Sequence, residues 1–558
     1  MTEGLDINTL AERFWDWQCR EFPLTAFIAG VKNDDPAMFR EAPEDHRRRH
    51  GEVLGFIAQL DAIAPPATPR ERANAALLRR ELEDLRDFHL LGAHQRPWLL
   101  PVGPEFNTIY FANLNSLGDA RAAALYLARL GTLAQFFEDI ARNLRDGRAR
   151  GFRYPKVVLT RAESNMRAVT QGPVEKLAWF GPFARSAAVW PQAEAAKTVI
   201  AEQIVPALSR LADVLGDELM PAARDSISAA DDVDGERYYR RWVQHFTNLD
   251  MGPEALHTLG LSEAARVEKQ IEQVAADAGF AGRVSDYRRH LAESPEFFAA
   301  SGEALRERVE ITAKRIDRQI PGHIGRVPRI TYGVESIPES LAPRMPPAYA
   351  QPSPGDGSTA GILWVSGLPQ KCPLYMIPSL ALHEGWPGHL MHLALVQELD
   401  DVPAFCRYNG PKYGANVEGW ALYCEGLGEE MGLYKTPHEH FGRLDMELWR
   451  ALRLVVDTGI HAKGWTREQA IHELATRVSL SLDTIEAEVD RYIALPAQAL
   501  AYQIGNIAFR DFRARAEAQL GERFSLRNFH DELLGIGTAT LPVIGELLDE
   551  WLAEEAAA

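Results

Sequence analysis

LALHEGWPGHLMH, residues Leu380–His392, is the stretch on which the reading of this chain turns. His383-Glu384 opens like the H-E-x-x-H segment of a zinc hydrolase, in which two imidazoles one helical turn apart hold one ion. Here the second imidazole, His389, comes two residues late. At about 3.6 residues per turn, positions i and i+6 lie roughly 120° apart, so a straight helix aims the two rings in different directions. Pro387-Gly388 stands between them. Proline removes a helical hydrogen bond and glycine tolerates the departure. The spacing therefore predicts a kink with a two-residue bulge that brings His389 to where the usual partner stands. The late histidine and the helix breaker explain each other.

Glu384 follows the first imidazole directly and reads as a general base, taking a proton from the attacking water and passing it to the leaving amine. A third ligand has to come from elsewhere, and ANVEGWALYCEGLGEEMG is the best source. Glu418 and Glu425 are seven residues apart there and share a helical face. We read Glu418 as the ligand and Glu425 as the support that orients a ligand imidazole. His383, His389 and Glu418, with one position left open, suit a single divalent ion, zinc before others. His392, three residues after His389, reads as a neighbour on the helix face, with a ligand role as its weaker alternative. The plain alternative is that these histidines are packing or surface residues of a helical protein. The Pro-Gly pair and the second motif weigh against it.

Outward from the motif, residues 1–320 read as an N-terminal helical lobe. TPRERANAALLRRELEDLRDFHLLG, ARAAALYLARLGTLAQFFEDIARNLRDGRARG and EALHTLGLSEAARVEKQIEQVAADAGFAG all carry apolar residues at three- and four-residue spacing with charges between. No fixed-period repeat is present, which disfavours a solenoid. From about Pro321 the chain turns rich in Pro, Gly and Ser, and within that region RITYGV and GILWVSG have strand composition. Helical patterning resumes at Pro378. Lys463-Gly464 reads as a helix stop and Thr466 to Gln469 as a capping box. Residues 321–558 thus form the catalytic portion. The fold class is mostly α, with a small β element beside the motif helix.

The bulk composition narrows the partners. The chain has 558 residues, 46% hydrophobic and 25% charged, enough for a large core. Lys+Arg number 60 against 78 Asp+Glu, a net charge of -18, which makes nucleic acid and anionic membrane surfaces poor partners. Cys19, Cys372, Cys406 and Cys424 are scattered, so neither a disulfide framework nor a cysteine zinc site is expected. The start lacks the basic and apolar regions of a signal peptide, and no apolar run is long enough to span a bilayer. The expectation is a cytoplasmic protein. No phosphate-binding glycine loop, dinucleotide fingerprint or nucleophile elbow is present.

Further polar residues follow the motif. Arg453, Asp457 and His461 fall at i, i+4 and i+8 of one helix. One reading gives His461 a hydrogen bond to the oxyanion of the reaction, with Asp457 fixing its tautomer. The other is an Arg453–Asp457 pair and a histidine near a helix C-terminus. RYIALPAQALAYQIG brings Arg491, Gln498 and Tyr502 around a helix-breaking Pro496. Tyr502 is a neutral donor for an oxyanion, and Arg491 a bidentate partner for a substrate carboxylate. Structural roles compete: satisfied core hydroxyls, and an Arg491 paired with Glu488 or Asp490. GILWVSG reads either as an edge strand that adds a substrate strand or as a structural hairpin. Trp364 and Trp420 read as packing residues, and His438-Glu439-His440 as a solvated turn.

LALHEGWPGHLMH, VEGWALYCEGL, RLVVDTGIHAKGWTREQA and RYIALPAQALAYQIG, in that order, resemble the bacterial domain-of-unknown-function family 885. That family is grouped by likeness with zinc-dependent gluzincin peptidases. The resemblance spans nearly the whole chain and is sharpest from Pro321 onward. It implies a two-lobed helical body with a deep central cleft, His383, His389 and Glu418 as ligands, and Glu384 as base. The expected function is zinc-dependent hydrolysis of amide bonds in short peptides or aminoacyl amides. Its rivals are a metalloamidase acting on a non-peptide or modified amino-acid amide, and a non-catalytic helical binding protein. Oligomeric state is not legible.

Overall fold

The computed structural model describes residues 6–557 apart from 281, 338–341, 343–344, 356 and 409. It is mostly helical with one small sheet. The amphipathic stretches of the first half become helices where predicted. Thr68 and Glu71 cap one of them, Pro69–Leu90, with reciprocal side-chain to backbone bonds. Seven further helices position the site. In chain order these are α1 (Pro253–Asp277), α2 (Ile377–Glu384), α3 (His389–Gln397), α4 (Gly414–Leu427), α5 (Pro437–Lys463), α6 (Leu482–Ala494) and α7 (Ala501–Leu520).

The strands are β1 (Tyr332–Ile337), β2 (Ala348–Gln351) and β3 (Gly361–Ser366). Their order is β1-β3-β2, with β3 parallel to β1 and antiparallel to β2. GILWVSG is therefore the central strand, and both its edges are already paired. Strand addition onto it is ruled out, and the structural reading of that segment holds. AYAQ, which has little strand composition, supplies the second edge.

α5 is the spine. It begins at a capping box between Thr436 and Glu439 and ends at Gly464, a left-handed cap at φ 68°. His438-Glu439-His440 is thus its first turn rather than a solvated loop, and His438 Nδ1 meets the Tyr287 hydroxyl at 2.7 Å. α1 lies along α5, and α4 lies along α7. The second pair meets backbone to backbone. A Cβ on Gly505 of α7 would fall 1.9 Å from the Ala415 carbonyl oxygen, and one on Gly419 of α4 2.3 Å from the Gly505 Cα. No side chain larger than hydrogen fits either position, so the two glycines bring α4 directly onto the helix that carries Tyr502.

Two apolar cores result. One joins helices of residues 99–309 to the sheet and to parts of α5 and α6, through Trp179, Phe137, Leu363 and Tyr492. The other joins the first 91 residues to α4, α7 and the C-terminal helices, through Phe14, Trp242, Trp420 and Phe509. Both cores draw on residues from either side of position 320. Among the described residues no helix is long and apolar enough to cross a membrane.

Candidate metal centre

The motif does not kink; it stops and restarts. α2 ends at Glu384 with the Gly385 N–H closing its last turn onto the Ala381 carbonyl, Trp386 and Pro387 lie outside either helix, and α3 begins at His389 with the Gly388 carbonyl accepting from the His392 N–H. Gly388 sits on the end of α2 so closely that a Cβ would lie 2.0 Å from the His383 carbonyl oxygen and 2.3 Å from that of Leu382. The Pro387 carbonyl, left without a helical partner, accepts a hydrogen bond of 2.8 Å from Trp420 Nε1 on α4. Trp420 is buried as expected, but it also caps this break.

The break does what the spacing requires. The His383 and His389 rings meet edge to face, 4.8 Å between centroids. Glu418 Oε2 lies 3.3 Å from His389 Nε2 and 3.6 Å from His383 Nε2. The ligand atoms of His383, His389 and Glu418 all fall within 4.8 Å of one another. Ligands about 2.0–2.1 Å from a tetrahedral zinc stand about 3.3 Å apart, so the set has the right size. Glu418 Oε2 is buried without a hydrogen-bond partner, as is His389 Nδ1. Such a carboxylate oxygen is costly unless something cationic satisfies it. The three residues fit a divalent ion.

Glu425, on the face of α4 that it shares with Glu418, stands behind His383. Its Oε1 accepts from His383 Nδ1 at 2.8 Å, and its other oxygen accepts from Ser379 Oγ. Arg450 lies 3.7 Å from Oε1. This fixes the His383 ring with Nε2 facing Glu418, the arrangement by which an outer carboxylate orients a ligand histidine. Burial works to lower the His383 pKa, but the nearby Glu418 carboxylate and the bond to Glu425 outweigh that and push it up to about 9. The His389 and His383 imidazoles, against the cost of burial, hold Glu418 well below the usual carboxylate range. The set thus presents the field a cation needs. Glu384, half-buried, is pushed up by burial and partly restrained by the two imidazoles. His392 is buried, its pKa lowered by burial to about 3, and stands outside the three-residue set.

His461 and Asp457 require correction. His461 is fully buried, its Nδ1 accepts from the Ala229 backbone N–H at 2.9 Å, and its Nε2 donates to the Tyr492 carbonyl at 3.0 Å. A neutral imidazole has one donor and one acceptor, and both are used, so none remains for an oxyanion. Asp457 does not touch it. Its oxygens accept from the Tyr239 hydroxyl at 2.7 Å and from the Ala497 backbone N–H at 2.9 Å. Ala497 has φ 69° in the turn joining α6 to α7, so Asp457 holds that left-handed turn. Arg453 pairs with Glu488 at 3.2 Å, not with Asp457.

Arg491, Gln498 and Tyr502 do come together. Arg491 binds Glu488 through Nε at 3.2 Å and Nη2 at 2.9 Å, and donates to Gln498 through Nη1. The Arg453 guanidinium lies over the Tyr502 ring, 4.3 Å from its centroid. Burial and then the Glu418 carboxylate push the Tyr502 phenol up, so Tyr502 lies within the field of Glu418. Glu488, Arg491, Gln498 and Tyr502 are each partly exposed, like Glu384 and Glu418. Sequence reasoning missed Arg450, which braces Glu425, and Ser379, which donates to it. No motif spacing links either to Glu425.

Solved structures share this architecture. A candidate lipoprotein from Colwellia psychrerythraea superposes with a TM-score of 0.91 at 25% identity, covering 98% of this chain and 99% of that one. A candidate lipoprotein of unknown function from Shewanella oneidensis does so with a TM-score of 0.75 at 17% identity, covering 97% and 99%. No curated protein matches the chain in sequence. Residues 23–548 match the profile of the bacterial proteins of unknown function designated DUF885, and the chain belongs to that family.

Proposed function

We propose that this chain is a metal-dependent hydrolase that cleaves amide bonds of short peptides. The observation that carries the reading is the convergence of His383, His389 and Glu418 on one point across a broken helix, with the Glu418 oxygen left without a hydrogen bond. A divalent ion held by these three, zinc by the chemistry of the donor set, would polarise a carbonyl and acidify a water. Glu384, next to His383 and partly exposed, takes the proton of the attacking water and delivers it to the leaving amine. Tyr502 donates a hydrogen bond from its hydroxyl to the oxyanion, the role His461 cannot fill. Arg491 and Gln498 bind the peptide beyond the scissile bond. The candidate side chains are only partly exposed, which favours short chains over folded ones as substrates. Both structural relatives carry lipoprotein names, so an envelope location stands beside the cytoplasmic one, and cell fractionation decides between them.

The test is a dipeptide and tripeptide library with the purified protein, zinc added or chelated. We expect about one tightly bound ion per chain and chelator-sensitive cleavage, with Glu384→Gln keeping the ion and losing turnover. Full activity of Glu384→Gln, or cleavage indifferent to chelation, overturns the assignment.

A further inference from the structure

His389 is the candidate ligand hardest to place, because a four-residue break, Gly385–Gly388, separates it from α2. His383 is steadied by Glu425, but His389 Nδ1 has no hydrogen-bond partner. Its position must be set through the backbone that precedes it. The two ends of that backbone are tied to the flanking helices by Gly385 N–H to the Ala381 carbonyl and His392 N–H to the Gly388 carbonyl, and its middle is gripped by the hydrogen bond from Trp420 Nε1 to the Pro387 carbonyl. The Trp420 indole is itself immobilised. It is 1% exposed and packs edge-on against Phe509 and His530, with centroids 5.7 and 5.6 Å away. Trp420 also sits two residues after Glu418 on α4. One helix therefore carries a candidate ligand and the clamp on the segment that launches another.

We propose that Trp420 is a positioning residue for the metal centre: by holding the Pro387 carbonyl it fixes the start of α3 so that His389 faces Glu418. The proposal rests on the metal reading above. Without the N–H, the Pro387 carbonyl is left unpaired in the core and the break is free to relax, moving His389 off the point where His383 and Glu418 already converge. α4 then supplies Glu418 without holding the ligand opposite it.

The experiment compares wild-type protein, Trp420→Phe, and benzothienylalanine at position 420, which exchanges only the N–H for sulfur. Trp179→Phe is the control, since that buried indole donates to Thr108 Oγ1 at 3.0 Å in the other core. Zinc affinity is measured against a chromophoric chelator, and the cobalt-substituted proteins are compared by visible absorption. Loss of the Trp420 donor should weaken zinc about 10- to 100-fold and change the cobalt spectrum, the range expected for an outer-shell partner. Trp179→Phe should change neither, whatever it does to the melting temperature. If Trp420→Phe fails to fold, the benzothienyl protein gives the answer. Unchanged zinc affinity in a folded protein lacking the donor overturns the positioning role alone. A wild-type protein that binds neither zinc nor cobalt overturns the metal reading, and this role with it.

Discussion

Replacing Glu425 by Gln separates a metal centre from a cluster of buried ion pairs. Glu425 is 1% exposed and is not itself a proposed ligand; it acts through His383 Nδ1 at 2.8 Å. Gln keeps the size and one oxygen acceptor, so the His383 bond can persist while the charge is lost. Removing an outer partner of this kind weakens metal binding about 10- to 100-fold, or about 1.4–2.7 kcal/mol. The loss can be read as stability. An ion present at about 100 times its Kd stabilises a fold by about 2.7 kcal/mol, and at about 10 times by about 1.4. At a free zinc level set to 100 times the wild-type Kd, the melting shift caused by chelator should therefore fall by about half in Glu425→Gln, or further. Glu425→Ala is the poorer choice because it strands the Arg450 guanidinium, 3.7 Å away, and an unpaired buried charge costs about 3–5 kcal/mol by itself. The assay is a thermal melt with and without chelator, beside a competitive zinc titration. If Glu425→Gln binds zinc as tightly as wild type, Glu425 is a structural ion-pair partner and the orienting role assigned to it is wrong.

Three further outcomes follow from particular contacts. Gly388→Ala should lose zinc by more than about 100-fold, because its Cβ would lie 2.0 Å from the His383 carbonyl oxygen, whereas Gly426→Ala, with nothing within 4 Å, should bind normally; equal affinities would mean the break tolerates movement. Tyr502→Phe should keep its zinc and lose about 100-fold in kcat with little change in KM, and a loss confined to KM would assign the hydroxyl to substrate binding instead. Burial holds Asp457 up to about 7, so its neutral form favours the fold below its ordinary value of 3.8, and that advantage is lost as pH rises through 7. Relative to Asp457→Asn, wild type should therefore gain about 3 kcal/mol between pH 7 and pH 4, and parallel melting curves for the two proteins would refute the shift.

The comparison of Asp457 with Glu425 explains what the sequence could reveal about this site. Both assignments began from helical spacing. Glu418 and Glu425 share a face of α4, and Arg453, Asp457 and His461 share a stripe of α5. Spacing states which side chains share a face, never what that face meets. For α4 the missing information was present elsewhere in the chain, because His383-Glu384 and the displaced His389 already demanded a carboxylate. For α5 nothing comparable constrained the partners. Its three residues meet Glu488, Tyr239 with Ala497, and Ala229 with Tyr492, all brought by segments whose arrival no local pattern announces. The same limit hid β2. A four-residue AYAQ strand has little to distinguish it until β3 is there to pair with it.

The break between α2 and α3 carries the argument one step further. A kinked but continuous helix would have kept the Pro387 carbonyl near the helical bonding pattern and needed no outside donor. A full stop exposes that carbonyl in a core, where an unpaired acceptor is costly, so some donor must reach it. That donor comes from Trp420, beside Glu418, on the helix that glycine-to-glycine contact presses against α7 and Tyr502. The late histidine thus has a structural cost that a four-residue spacing avoids, and the VEGW segment offsets it while supplying the carboxylate. On this view the two motifs form one device. Exchanging HEGWPGH for a regular H-E-x-x-H should make the Trp420 N–H dispensable, whereas lengthening the gap should not.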